Sequence, residues 1–223
     1  MRVSGAALLA LVMALAGIFS APLSAGATDF GLSGATIYFS ITGHHLSGDF
    51  LNHWQAGGGL MTFGYPMSEP MTQDGMTVQY FERARLEEHP ENAGTPFVVL
   101  GTLLGNWATD GRRSEPAFLP LPSNTGDGGD PAHRRFFPET GHTLAYGFKS
   151  YWEQNGGLYV FGFPISEEFS EKNPDTGQVY TVQYFERARF EYHPENAGTQ
   201  YEVLLGRLGA QLACQRYNIA CLS

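Results

Sequence analysis

Residues 79–95, QYFERARLEEHPENAGT, recur at 183–199 as QYFERARFEYHPENAGT, identical at 15 of 17 positions. Chance does not produce such a match, so one chain must accommodate the same local structure twice. The register extends upstream at an offset of 98. Thr42-Gly43-His44 lies over Thr140-Gly141-His142, and Phe50 to Trp54 over Phe148 to Trp152. Phe63-Gly64-Tyr65-Pro66 then lies over Phe161-Gly162-Phe163-Pro164, and Ser68-Glu69 over Ser166-Glu167. Six further residues in the second copy, around Asn173-Pro174-Asp175-Thr176-Gly177, have turn composition and shift the offset to 104. The repeats run over about 38–106 and 136–210.

The repeats divide the chain into four parts. Residues 1–27 read as a secretory signal peptide: Arg2, an uncharged Ala- and Leu-rich run from Ala6 to Phe19, and a small-x-small cleavage site at Ala25-Gly26-Ala27. The alternative is an uncleaved anchor, although a bilayer span needs about 20 apolar residues. Residues 28–109 form module 1, 110–135 a linker, and 136–223 module 2 with a C-terminal tail. Pro116, Pro120, Pro122 and Pro131, with Gly-Asp-Gly-Gly-Asp at 126–130, make the linker an extended, flexible spacer. Phe118 and Leu119 are its candidates for docking on a repeat, and Asp127 and Asp130 lack the acidic alternation of a calcium loop.

Export would place the protein outside the cell, at the cell surface, where Cys214 and Cys221 are expected to pair as a disulfide. No transmembrane segment is expected after signal cleavage. A net charge of -9 leaves no basic footprint for nucleic acid or anionic lipid. The 13% aromatic content, with only 16% charged residues, argues against a disordered chain.

Spacing gives a coarse fold. Phe50 and Trp54, like Phe148 and Trp152, stand four apart and belong on one face of a short helix that the following Gly pair ends. Met76–Phe81 and Val179–Phe185 suit strands, and Leu86 and Phe190 begin second strands. A hairpin turning at Glu-Arg is the first expectation. One long strand bulged at Ala84 or Ala188 is the alternative, because Glu-Arg is poor at positive φ. Val99, Leu103 and Leu104, with Val203, Leu204, Leu208 and Leu212, suggest a second helix in each repeat. The expected fold class is α+β: two tandem homologous modules, each of short helices and a β-hairpin, related by internal pseudo-symmetry and packed together because each core is thin.

The order of an aromatic helix ending in Trp, Gly-Gly, Gly-x-Pro, Ser-Glu, a Phe-centred hairpin and a closing Val-x-x-Gly resembles the LGFP repeats of secreted bacterial envelope proteins. Here Phe63 and Phe161 replace the Leu of that name, and Ser and Glu are adjacent. A closer resemblance is to secreted bacterial repeat proteins carrying Phe-Phe-Pro-Glu-Thr-Gly-His and Gln-Tyr-Phe-Glu-Arg-Ala-Arg-Phe-Glu, here 136–142 and 183–191. The resemblance implies small α+β modules that bind or anchor to the cell wall, with peptidoglycan or wall polysaccharide as partner and no cofactor.

The repeated carboxylates Glu69/Glu167, Glu82/Glu186 and Glu87/Glu191 could supply the acid and base of a glycan hydrolase, which is the competing enzymatic reading. Ion pairing at a turn is the plainer role for Glu82 and Glu186, each followed by two arginines. His44 with His89, and His142 with His193, have no recognised metal spacing, and hydrogen bonds that hold a turn explain them as well. Arg83, Arg85, Arg187 and Arg189 carry the planar fork suited to carboxylates. A bivalent polymer site would draw on polar residues present in both copies. Arg85 with Arg189, His89 with His193 and Glu91 with Glu195 are the candidates, all near the Asn-Ala-Gly loops. Trp54 and Trp152 are secondary candidates for stacking on a sugar, with core packing the alternative. A purely structural surface-assembly role is the third reading.

Overall fold

The computed structural model describes residues 35–122, 132–219 and 221. The expected signal peptide with its cleavage site and the glycine-rich middle of the linker, including Asp127, Asp130 and Pro131, lie outside the described residues. The fold class is α+β. In the first repeat β1 (Thr36–Phe39) pairs antiparallel with β2 (His44–Ser47), followed by α1 (Gly48–Ala56) and a short α2 (Gly59–Thr62). β3 (Met71–Gln73), β4 (Met76–Tyr80), β5 (Arg85–Glu88) and β6 (Val99–Gly101) then form an antiparallel sheet in sequential order, and α3 (Leu104–Ala108) closes the repeat.

The second repeat begins with the paired strands β7 (Arg134–Phe137) and β8 (His142–Ala145), then α4 (Tyr146–Gln154) and α5 (Gly157–Phe161). β9 (Phe169–Lys172), β10 (Val179–Tyr184), β11 (Arg189–Tyr192) and β12 (Val203–Leu205) form a second sheet in the same order. α6 (Leu208–Tyr217) follows.

The aromatic spacing places its helices correctly. Phe50 and Leu51 of α1, and Phe148 and Trp152 of α4, face the core. Gly58 and Gly156 end this part of each repeat at φ 104° and 103°, a left-handed conformation that glycine takes without steric cost. The Glu-Arg hairpin also forms. Tyr80 pairs with Arg85, and the Phe81 N–H donates to the Ala84 carbonyl at 2.8 Å. Glu82 and Arg83 keep negative φ. The turn is held by a third segment: the Glu82 N–H donates to the Tyr65 carbonyl at 3.1 Å and the Arg83 N–H to the Phe63 carbonyl at 3.0 Å.

Other expectations need correction. Val99, Val203 and Leu204 are not helical; they lie on β6 and β12, which complete each sheet, and the helices begin only at Leu104 and Leu208. The described part of the linker is docked rather than free. Phe118 is buried against Phe169 and Tyr184, the Leu121 N–H donates to the Gly141 carbonyl at 2.8 Å, and the Glu167 N–H donates to the Ala117 carbonyl at 2.7 Å. Leu119 stays exposed.

The repeats pack through exchanged helices. Leu104 of α3 joins Ile165, Val182 and Tyr184 of the second repeat, whereas Ala213 and Tyr217 of α6 cover Val78 and Tyr80 of the first. Phe118 adds to the cover of the second sheet, as Ile219 does to the first. Cys214 and Cys221 are disulfide-bonded around that Ile219 turn, which closes the tail on the sheet it covers. No helix among the described residues is long and apolar enough to cross a membrane.

Candidate functional site

The recurring Gln-Tyr-Phe-Glu-Arg-Ala-Arg is a set of structural fittings used twice. Gln79 Nε2 donates to the carbonyls of His45 and Ser68 at 2.7 and 2.9 Å, and Gln183 Nε2 to those of Thr143 and Ser166 at 2.7 and 2.8 Å. Phe81 and Phe185 are fully buried. Glu82 Oε2 accepts the Tyr65 N–H, and Glu186 Oε2 the Phe163 N–H, both at 3.1 Å. Those carboxylates fill the space beside Gly64 and Gly162, where a Cβ would come within 2.6 Å of Oε2 in each case. Arg83 Nε reaches the Leu205 carbonyl across the repeat boundary at 3.2 Å, and Arg187 Nε the Gly101 carbonyl at 3.0 Å.

Arg85 and Arg189, expected on an exposed polymer-binding surface, are instead buried side chains. Arg85 pairs with Glu87 and donates to Thr102 Oγ1 at 2.8 Å. Arg189 donates through Nε to Glu191 Oε1 at 3.0 Å, and Glu191 also accepts from Asn173 Nδ2 at 2.9 Å. Asn173 belongs to the six-residue insertion, so that segment supplies a partner to the buried carboxylate. A desolvated guanidinium demands charged acceptors, which is why both pairs sit within a strand two residues apart.

The histidines stand above these pairs. His89 Nδ1 lies 2.9 Å from Glu91 Oε1, and its Nε2 3.8 Å from Glu87 Oε2. His193 Nδ1 lies 2.8 Å from Glu195 Oε1, and its Nε2 3.4 Å from Glu191 Oε2. Each repeat therefore carries a Glu–His–Glu–Arg relay of charged side chains that runs from an exposed acid on a 3-10 turn to a buried guanidinium. The hydrogen bond from His89 holds the Glu91 carboxyl below its ordinary pKa, and a backbone hydrogen bond with that from His193 does so for Glu195.

The two relays have different surroundings. In the first, an open groove of about 370 Å³ runs beside Met76, Thr77, Glu88, His89 and Glu91. In the second, Tyr180 occupies the position matching Met76 and packs its ring 4.0 Å from His193. The second relay continues inward: Arg189 Nη1 lies 3.5 Å from Glu171 Oε2, and Glu171 Oε1 accepts from Arg112 Nη1 at 2.7 Å.

The remaining candidates are absorbed by the fold. Trp54 and Trp152 each donate Nε1–H to a glycine carbonyl, Gly64 or Gly162, at 3.0 Å, and pack edge-on against Phe39 and Phe137. Trp152 is a buried core residue, and Trp54, half-buried, packs against the same core. Glu69 and Glu167 accept the backbone N–H groups of His45 and Thr143 at 3.0 and 2.9 Å. Burial raises the Glu167 pKa, but the hydrogen bonds from His142 and Thr143 outweigh it and hold the carboxyl below its ordinary value. His44 and His142 face these carboxylates, not His89 and His193. No group of three metal-ligating side chains is gathered among the described residues. No family model matches the chain, and no curated protein matches it.

Proposed function

We propose that this chain is a secreted, non-catalytic repeat protein that binds or anchors to a cell-envelope polymer, peptidoglycan or wall polysaccharide, at the cell surface. The observation that carries the reading is the pair of matching relays, each presenting an exposed carboxylate, Glu91 or Glu195, held by the imidazole behind it. These carboxylates can accept hydrogen bonds from sugar hydroxyls and amides, and the histidines and buried arginines act as positioning residues beneath them. Two copies on one chain make the second contact with a repeating polymer intramolecular.

The hydrolase reading is the weaker one because Glu69, Glu82, Glu87, Glu167, Glu186 and Glu191 are all engaged in hydrogen bonds or ion pairs that hold the fold. Structural assembly is favoured by a different observation, the use of the whole recurring motif in packing. Sedimentation of the protein with purified peptidoglycan and with wall polysaccharide separates these readings. Retention on either polymer, weakened when His89→Ala and His193→Ala are combined, supports binding. No retention on either supports assembly, and lysis of a peptidoglycan-loaded gel would overturn the non-catalytic assignment.

A further inference from the structure

Tyr146 occupies a backbone conformation that disfavours it and leaves its ring in solvent. It begins α4 at φ +44°, in the left-handed region that bulky side chains rarely adopt. The matching residue in the first repeat is Gly48, at φ +57°, where an added Cβ would meet nothing within 4 Å. The entry to this helix thus needs a left-handed residue in both repeats. Glycine supplies it freely in the first, and the second carries a tyrosine that is 64% exposed. Burial does not offset that strain, and strain kept at an exposed aromatic residue points to a surface role.

The ring is held in place. It stacks on His133 with centroids 5.8 Å apart and planes inclined by 29°. The Tyr146 N–H donates to the His133 carbonyl at 2.8 Å. One turn along α4, Lys149 Nζ donates to the Ala132 carbonyl at 3.3 Å and pairs with Glu153 at 2.9 Å. The start of β7 and the start of α4 are therefore fixed to each other, and the two rings with them.

We propose that the Tyr146–His133 ring pair is a sugar-stacking subsite that receives the apolar face of a pyranose ring. The proposal rests on the polymer-binding reading above and adds the ligand's chemical class and the repeat that takes it. The axial C–H bonds of a pyranose carry partial positive charge toward the negative face of the tyrosine ring, and the flat ring removes apolar sugar surface from water. A ring already oriented by the imidazole beneath it loses little rotamer freedom on binding. Because Gly48 stands at the matching position, the first repeat has no ring here and the two repeats are unequal polymer contacts.

Titration calorimetry with chitohexaose, a soluble chain of N-acetylated pyranoses, tests this alongside thermal unfolding and peptidoglycan sedimentation. The wild type should bind chitohexaose, Tyr146→Gly should weaken binding by about tenfold, and Tyr146→Phe should stay within about twofold. The melting temperature of Tyr146→Gly should be no lower than wild type, since glycine adopts the required φ. Equal binding by Tyr146→Gly and wild type overturns the subsite, as does weaker binding that accompanies a clear fall in melting temperature. A wild type that sediments with peptidoglycan but ignores chitohexaose overturns the subsite and leaves the polymer reading standing. A wild type that engages neither overturns the subsite, and if it also fails to sediment with wall polysaccharide it overturns the polymer reading as well.

Discussion

A guanidinium removed from water needs charged acceptors, and the two buried arginines receive unequal shares. Glu87 is 17% exposed and partly hydrated, whereas Glu191 is 4% exposed and its charge relies on Arg189, Asn173 and His193. Removing one partner of a buried pair leaves the other uncompensated. Arg189→Ala should therefore cost about 3–5 kcal/mol in denaturant unfolding, and Arg85→Ala less, because water can reach Glu87. Equal losses would show that exposure of the carboxylate does not set the cost. His53 gives a second residue-scale expectation. Burial, then the charge of Arg187, lowers its pKa from 6.5 to about 4, and its Nδ1 lies 3.1 Å from the Tyr159 hydroxyl. The unfolded chain then binds the proton more readily than the folded one. This contribution is complete above pH about 6.5 and is lost as pH falls from there toward about 4, at most about 3 kcal/mol. Glu69 and Glu167 have lowered pKa values and lose their contribution only below the ordinary carboxylate value, whereas burial and then the charge of Glu167 raise Glu168 toward this window with a contribution of opposite sign. Denaturant melts of His53→Gln between pH 5 and 7 should lack the wild-type slope; an unchanged slope assigns it elsewhere.

Elements were legible in proportion to how locally their causes act. Phe50 and Trp54 announce α1 because four-residue spacing and a Gly pair need no distant partner. The Glu-Arg hairpin was harder to read, since the backbone of Phe63 and Tyr65 holds its turn from outside the hairpin. Val99 and Val203 lie on strands although their spacing is helical, because an edge strand and an adjoining helix together mimic three-to-four spacing. The arginines were misplaced for a similar reason: a buried ion pair two residues apart on a strand has the same sequence pattern as an exposed one. Tyr146 left no signal in spacing, and only the φ it shares with Gly48 exposes it. The contacts of α3 and α6 were also illegible, because they depend on close approach of backbones. A Cβ at Gly105 would stand 1.7 Å from the Phe185 carbonyl oxygen, and one at Gly209 2.0 Å from that of Phe81. Relief requires moving a whole helix off a turn. Gly209→Ala should therefore lower stability by more than about 2 kcal/mol, whereas Gly94→Ala, with nothing within 4 Å and only its φ of +81° to strain, should cost about 1 kcal/mol. Comparable losses in thermal unfolding would mean that α6 yields more easily than its backbone contacts imply.

Across the whole molecule, each repeat supplies part of the cover of the other's sheet. The Gly105 N–H donates to the Glu186 carbonyl at 2.9 Å, and the Ala210 N–H to the Glu82 carbonyl at 2.9 Å, so the start of each closing helix is anchored on the other repeat's hairpin turn. Val78 and Tyr80 are buried by Ala213 and Tyr217, while Val182 and Tyr184 are buried by Leu104 of the first repeat together with Phe118, Leu208 and Leu212. A boundary drawn at the linker strips α6 from the first sheet and α3 from the second, which keeps Phe118, Leu208 and Leu212. It also leaves halves of 82 and 114 residues, sizes at which a domain has little apolar burial to spare. Residues 28–109 expressed alone should give an amide NMR spectrum of narrow dispersion and bind a hydrophobic dye. Residues 110–223 alone should be less affected, because only α3 is missing while Phe118, Leu208 and Leu212 stay on their sheet. Mixing the two should restore dispersed resonances at a stoichiometry of one to one, since every exchanged contact reforms between the fragments. A well-dispersed spectrum from 28–109 alone would show that one repeat closes its own core and that the exchanged helices are an accessory to the fold rather than its condition.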